Sequence, residues 1–175
     1  MRLFFFGSLM DRDFLAVVLG RDAGDLPLVP ARLHGFARRR ARGETFPVLV
    51  PSPGGSVEGL VAQGFTPEDI ARLSYYETPD YALHPFPVET AEGRLEAHVF
   101  LATARLEAEE TPWDFAHWAA TEKPLGLLLA TALMAHYEAG TSLVEIERLW
   151  PAMKELALEN LAAAAETTAP RRARA

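Results

Sequence analysis

Residues 3–11 read Leu3-Phe4-Phe5-Phe6-Gly7-Ser8-Leu9-Met10-Asp11, and this stretch decides how the chain begins to fold. Its four leading apolar residues predict a short strand that is covered on both faces. Gly7 and Ser8 predict a tight loop, and Asp11 caps a helix that ends at Gly20. A strand that passes straight into a helix leaves backbone N–H groups free to bind an anion. The alternative interpretation is an ordinary turn.

The composition indicates a globular protein with one domain and an extension. The chain has 175 residues, of which 49% are hydrophobic and 23% are charged. This length supports one sizeable hydrophobic core, and a second independent domain would have to be very small. The proportions are ordinary for a folded chain and argue against disorder over most of its length.

Charge and cysteine content exclude several classes of function. The formal net charge is −7, which disfavours a nucleic-acid partner or an anionic membrane and favours a small-molecule or protein partner. The absence of cysteine excludes disulfides and thiolate chemistry, and it fits a cytoplasmic location. No secretory segment is recognisable at the N-terminus, and the apolar run Leu125–Ala135 is about half the length of a membrane span.

Alternating and apolar runs predict a set of strands in the first two thirds of the chain. They are Arg2–Phe6, Leu28–Phe36, Phe46–Val50, Val57–Phe65, Phe86–Thr90 and Leu95–Leu101. The arginine-rich stretch 38–44 is expected to be a solvated loop, and residues 51–55 a turn. Gly59 and Gly64 predict a bulged or bent strand, which suits a small barrel.

Helices are predicted in the middle and in the last third. Thr66 caps a helix that must end before Pro79, so Glu77 lies at its C-terminal end, where the helix dipole disfavours a carboxylate. Three more helices are expected over 112–120, 125–139 and 142–166. Pro151 either interrupts the last one or marks a break.

Five segments occur in one order and carry a resemblance to a known family. They are the strand with Gly7-Ser8-Leu9, residues 31–36, residues 46–51, residues 57–60, and Tyr76-Glu77 with Tyr81. Together they resemble the gamma-glutamylcyclotransferase-like family, in particular its AIG2-like branch. The resemblance implies an α+β fold, a small mixed β-barrel with flanking helices. The boundaries expected are a barrel domain over 1–106, a C-terminal helical extension packed on it over 107–166, and a disordered tail over 167–175.

The resemblance also implies a reaction and a site. Members of the family release 5-oxoproline from gamma-glutamyl amines or peptides, when the substrate's own α-amine attacks its γ-carbonyl. Glu77 matches the family's catalytic acid/base, and burial beside tyrosines is expected to raise its pKa. The residues that match the substrate site are Phe6, Gly7, Ser8, Leu9 and Tyr81. No cofactor and no metal is implied, and the partner is a small-molecule gamma-glutamyl substrate.

Other interpretations stay open on the residues alone. The family commonly has tyrosine where this chain has Phe6, which favours a non-catalytic small-ligand or protein-binding module. Another amide or ester transfer on a gamma-glutamyl carrier would use the same carboxylate. The five histidines lack a metal-ligand spacing, and Asp11 with Asp13 fit a capped first turn better than a metal pair. Trp113, Phe115 and Trp118 are read as core residues, or as a cap over the substrate pocket.

Overall fold

The apolar N-terminal segment forms a strand with a partner on each side. This strand, β1 (Arg2–Phe5), pairs antiparallel with β3 (Pro47–Gln63) and parallel with β5 (Gly93–Ala102). Strand β4 (Tyr81–Thr90) connects β5 to β2 (Leu28–Ala41), and β2 pairs back onto β3. The five strands therefore close into a mixed barrel. This computed structural model describes residues 1–168 of the chain.

Five helices and one further strand accompany the barrel within the described residues. The helices are α1 (Arg12–Leu19), α2 (Pro67–Glu77), α3 (Phe115–Thr121), α4 (Lys123–Glu138) and α5 (Leu143–Thr168). The further strand, β6 (Ala108–Pro112), pairs antiparallel with β2 at Arg39 and Ala41, beyond the end of β4. The predicted α+β fold with a small mixed barrel and flanking helices is confirmed.

The helix starts follow the expected chemistry. The Asp11 side chain accepts a hydrogen bond from the Phe14 N–H and caps α1. Thr66 and Asp69 cap α2 reciprocally, since each side chain accepts the other residue's N–H. Helix α5 continues through Pro151 without ending there. The predicted tail 167–175 overlaps α5 at its first two residues, and its remainder lies outside the described residues.

The arginine-rich stretch was wrongly predicted as a solvated loop. Strand β2 continues through Arg38, Arg39 and Arg40, whose neighbours across the ladder on β3 are apolar residues. The stretch 51–55 is likewise part of β3, where four residues bulge opposite Gly35. Strand β6 was not predicted, and the segment 107–166 therefore begins with a strand rather than a helix.

Successive side chains along β1 point to opposite faces of the strand, and they therefore enter two different cores. Phe4 belongs to a cluster of barrel-strand residues, and Phe6, directly after β1, belongs to the same cluster. Leu3 and Phe5 belong to a larger cluster that includes residues of α1, α3 and α4. The barrel wall thus separates an inner core from a core that it shares with the helices.

Backbones approach closely where β3 passes β1. A Cβ atom added at Gly59 would lie 2.2 Å from the Phe5 carbonyl oxygen and 2.6 Å from the Phe4 ring. Only glycine fits at this contact. The close approach brings the end of β1, and therefore the loop that follows it, tightly against the barrel.

Candidate active site

The loop after β1 turns immediately into a short 3-10 helix. Gly7 precedes this turn, Ser8–Met10, and both Ser8 and Leu9 are buried. A Cβ atom at Gly7 would lie 2.9 Å from Cγ of Pro47, so a side chain there would have to displace the start of β3. Within residues 1–168 the N–H groups of Gly7, Ser8 and Leu9 donate no hydrogen bond. They are available to an acceptor in the adjoining space.

Glu77 is the last residue of α2, as the sequence predicts. The next residue, Thr78, has φ 55° and ψ −177°, a conformation that non-glycine residues rarely adopt. This abrupt end of the helix turns the chain towards β4. Among the described residues, the Glu77 carboxylate has no hydrogen-bond or ion-pair partner.

Burial determines the protonation of Glu77. Removal from water raises the pKa of this carboxyl to about 8 from 4.5. Protein surrounds the Glu77 carboxyl on all sides. The residue nevertheless counts as half-buried, because part of its surface borders a cavity. Its position at the C-terminal end of α2 acts in the same direction, since the helix dipole opposes a negative charge there.

Two tyrosines line the same cavity as this carboxyl. Tyr76 shares a hydrogen bond of 3.3 Å with the Ser8 hydroxyl. Tyr81, the first residue of β4, donates a hydrogen bond of 2.8 Å to the Pro47 carbonyl. Burial, and next the charge of Glu77, raise the pKa of both tyrosine hydroxyls. Both hydroxyls therefore remain protonated at neutral pH.

One cavity of about 540 Å³ brings together all the predicted site residues. Its wall contains Phe6, Gly7, Ser8, Leu9, Glu77 and Tyr81. Binding sites for small molecules typically have volumes of roughly 300–1,000 Å³. The predicted residues, which are far apart in sequence, thus border a single space large enough for a small molecule.

Arg38 supports the loop and was missed by sequence reasoning. Its Nη1 donates a hydrogen bond of 2.8 Å to the Phe6 carbonyl oxygen, and its Nε donates one of 3.2 Å to the Trp113 carbonyl oxygen. The guanidinium also stacks on the Trp113 ring at 5.1 Å. Burial lowers the pKa of Arg38. Nothing in a run of arginines distinguishes this one from its neighbours.

The three aromatic residues Trp113, Phe115 and Trp118 divide between two roles. Trp118 lines the cavity, whereas Trp113 and Phe115 do not. Trp118 packs against Phe14 of α1, with ring centroids 5.5 Å apart, and is 1% exposed. Trp118 therefore belongs both to the shared core and to the cavity wall.

The remaining polar candidates contact each other or lie elsewhere. Lys123 Nζ lies 2.8 Å from a carboxylate oxygen of Asp11 and 2.8 Å from one of Asp13. In the part of the chain that the structure describes, no three His, Asp or Glu side chains are grouped to hold a metal ion. Nor does any helix in residues 1–168 have the length and apolar character to cross a membrane.

Comparison with known proteins gives the same match in sequence and in structure. A family model described as gamma-glutamyl cyclotransferase, AIG2-like, matches residues 3–120. AIG2-like protein A of Arabidopsis thaliana is 37% identical over 79 residues, which cover 45% of this chain and 46% of that relative. The chain thus spans about half the length of this curated relative.

Solved structures share the fold. A solution structure of an Arabidopsis thaliana protein aligns with a TM-score of 0.55 at 27% identity, over 70% of this chain and 82% of that chain. A structure named gamma-glutamyl cyclotransferase aligns with a TM-score of 0.52 at 19% identity, over 61% and 68%. The resemblance seen in the sequence is confirmed, because the family match runs through the barrel, the loop at residues 7–9 and helix α2. The chain belongs to the gamma-glutamyl cyclotransferase, AIG2-like family.

Proposed function

We propose that this protein is a gamma-glutamyl cyclotransferase that releases 5-oxoproline from a gamma-glutamyl amine or peptide. The observation that carries the proposal is the Glu77 carboxyl, whose pKa is raised to about 8 in the cavity that the loop at residues 7–9 also borders. Perturbed carboxyls inside clefts are typical of catalytic acids and bases. The family description supports the reaction class.

The substrate's glutamyl end binds at the loop. The free N–H groups of Gly7, Ser8 and Leu9 donate hydrogen bonds to its α-carboxylate or to the oxygen that becomes negative during the reaction. The Ser8 and Tyr76 hydroxyls, which already share a hydrogen bond, present further polar contacts beside this position. Binding holds the substrate folded back, with its α-nitrogen near its own γ-carbonyl carbon.

The reaction is intramolecular, so positioning supplies much of the acceleration. Well-oriented reactions of this kind reach effective molarities of about 10⁵ M or more. The α-nitrogen forms a bond to the γ-carbonyl carbon, and the bond from that carbon to the amide nitrogen breaks. The products are 5-oxoproline and a free amine, and neither a covalent enzyme intermediate nor an added reactant is needed.

Glu77 moves the proton in both halves of the reaction. As a carboxylate it removes a proton from the α-nitrogen, and as a carboxylic acid it returns that proton to the departing amine. A group with a pKa of about 8 is poised for both steps near neutral pH. The absence of a partner for this carboxylate among the described residues leaves it free to bond to the substrate.

The test compares wild type with Glu77→Gln on a panel of gamma-glutamyl amines and peptides. Mass spectrometry follows 5-oxoproline, and isothermal titration calorimetry follows binding. We expect Glu77→Gln to lose about 100-fold or more in kcat while it still binds substrate. Glu68→Gln is the matched control, because Glu68 is an exposed residue of the same helix and does not line the cavity.

Two outcomes would contradict this proposal. If 5-oxoproline release continues unchanged in Glu77→Gln, the proposed mechanism is wrong. If wild type binds the panel members tightly without converting any of them, the protein is instead a gamma-glutamyl binding module. Phe6, which contributes no hydroxyl to the cavity, is the feature that favours this second function.

A further inference from the structure

The cavity has a second wall that lies outside the family match. Helices α4 and α5 follow residue 120, where that match ends. They contribute Leu129, Leu133, Leu143, Ile146 and Trp150 to the lining of the cavity that also contains Glu77. We call these five residues the apolar wall. This wall is a feature of the chain's own C-terminal helices.

Three of the five residues of the apolar wall are almost completely covered by protein. Leu129, Leu133 and Ile146 are only 8%, 2% and 3% exposed. None of the three belongs to either of the two core clusters. They line the cavity together with Leu143 and Trp150, which are half-buried. The exposed part of these two side chains is a surface against which an apolar ligand group gains free energy by leaving water.

Apart from Glu77, the charged residues that line the cavity are already paired. Lys154 binds both carboxylate oxygens of Glu44 at 2.7 Å. Arg105 forms an ion pair with Glu147 and lies 4.0 Å from Asp80. The side chains of Arg105 and Glu147 are 53% and 52% exposed, so this pair lies at the outer rim. A charged group resting on the apolar wall would have no partner, which is costly in a buried site.

Three contacts with the rest of the molecule hold the wall in place. Arg40 of β2 forms a 2.6 Å ion pair with Glu122, directly before α4. Tyr75 of α2 donates a hydrogen bond of 2.9 Å to the Thr141 carbonyl, between α4 and α5. The Lys154–Glu44 pair attaches the middle of α5. A wall fixed at three places is preorganised, so a ligand does not have to order it on binding.

We propose that the apolar wall is the subsite for the leaving amine, and that the protein acts on gamma-glutamyl amides of apolar, uncharged amines. This inference rests on the proposed function, because it takes the glutamyl end to bind at residues 7–9. The alkyl or aryl group of the amine then extends from the reacting carbonyl onto the side chains of α4 and α5. Charged amines, including amino acids, are poorer substrates.

The test uses amides that share one glutamyl group and differ only in the amine. They are gamma-glutamyl methylamide, the pentylamide, the 5-aminopentylamide, which adds a terminal ammonium, and the amide of 5-aminopentanoic acid, which adds a carboxylate. We expect kcat/KM for the pentylamide to exceed that for each other amide by about tenfold or more. The same order is expected for affinity, measured by calorimetry with Glu77→Gln, which keeps each amide intact.

Variants of α5 locate the subsite on the wall. Trp150→Ala and Leu143→Ala replace half-buried residues, and each is expected to lower kcat/KM for the pentylamide at least fivefold more than for the methylamide. Leu149→Ala is the matched control, because Leu149 is also half-buried on α5 but does not line the cavity. Circular dichroism establishes that the variants compared are folded.

The outcomes separate this inference from the proposed function. Release of 5-oxoproline from all four amides at similar rates keeps the cyclotransferase activity and overturns the apolar subsite. A preference for the ammonium-bearing amide also overturns it, since the terminal ammonium would then have found a carboxylate partner at the cavity. Tight binding of the pentylamide without turnover supports the subsite and rejects the cyclotransferase.

Discussion

At the scale of single residues, two acidic side chains of helix α2 show how position sets protonation. Asp69, in the first turn, accepts two hydrogen bonds from Arg21, and this interaction lowers its pKa to about 2. Glu77, at the other end, has no such partner within the described residues, and burial raises its pKa to about 8. The same helix thus holds one carboxylate that stabilises the fold and one that is kept ready to bind a proton.

The raised pKa of Glu77 predicts a specific pH dependence of stability. Between about pH 4.5 and about pH 8 the folded protein retains a proton on Glu77 that the unfolded chain has lost. The free energy of unfolding therefore falls as pH rises through this window, by at most about 1.4 kcal/mol per pH unit from this group. In Glu77→Gln this contribution is absent.

Urea unfolding at a series of pH values measures this effect. The free energy of unfolding of wild type minus that of Glu77→Gln should decrease steadily from pH 5 to about pH 8. Glu92→Gln, which alters an exposed residue of the β4–β5 turn, should run parallel to wild type. Parallel curves for wild type and Glu77→Gln would show that Glu77 titrates alike in the folded and unfolded chains.

Arg38 is predicted to couple stability to substrate binding. Arg38→Met keeps much of the packing but removes the donors to the Phe6 and Trp113 carbonyls. We expect a loss of about 1–3 kcal/mol in the free energy of unfolding, because a buried acceptor is left unpaired. With Phe6 released, the loop at residues 7–9 shifts, and KM for a gamma-glutamyl substrate should rise severalfold.

The control for this experiment lies next in the chain. Arg39 donates to the Glu110 carbonyl of β6, so Arg39→Met removes a backbone-directed arginine without touching the loop. It should leave KM unchanged. An equal rise in KM in both variants would mean that the loop does not depend on Arg38. The sequence could not have predicted this difference, because the acceptors of a side-chain donor become known only when distant segments meet.

At the scale of elements, the end of α2 combines a strained residue with the candidate catalytic one. Thr78 adopts a positive φ although its β-carbon is branched, and such conformations cost about 1–3 kcal/mol. Strain of this size persists where the surrounding structure enforces it. Here it lets the chain turn from α2 into β4, which brings Glu77 and Tyr81 to the same cavity.

Thr78→Gly tests this interpretation of the helix end. Glycine relieves the strained φ but makes the unfolded chain more flexible, so the net gain in the free energy of unfolding should be about 1 kcal/mol. Because Glu77 is then held less firmly, kcat should fall. Thr78→Ala, which loses the hydroxyl but keeps a β-carbon, should not gain stability. Equal stability of the glycine and alanine variants would show that Thr78 is not strained.

The element pattern was predictable where local chemistry decided it. Thr66 and Pro79 set the limits of α2 in advance, and Asp11 with Gly20 did so for α1. Strand β2 was predicted to end too early, because consecutive arginines are usually solvated and their pairing with β3 depends on a distant strand. Strand β6 has no apolar alternation, and it exists because β2 extends beyond β4 and offers it an edge.

At the scale of the whole molecule, the barrel and the C-terminal helices share one core. The larger cluster contains Leu3, Phe5 and Phe100 from the barrel strands together with Trp118 and Met134 from the extension. Neither part can bury these residues alone. The division into a barrel domain over 1–106 and an extension over 107–166 remains a prediction about sequence organisation, whereas the packing argues for joint folding.

The shared core predicts a single cooperative unfolding transition. All three tryptophans lie in the extension, so their fluorescence reports on its packing. The chain has no cysteine, which allows Ala97→Cys, at a fully buried position of β5, to report on the barrel through thiol labelling. Fluorescence and labelling should give the same midpoint in urea, because loss of the helices exposes the barrel's own apolar surface.

Ala91→Cys, in the exposed β4–β5 turn, should react at every urea concentration. A fluorescence midpoint well below the labelling midpoint would mean that the barrel folds without its helices, and that the apolar wall can separate from the loop that it faces.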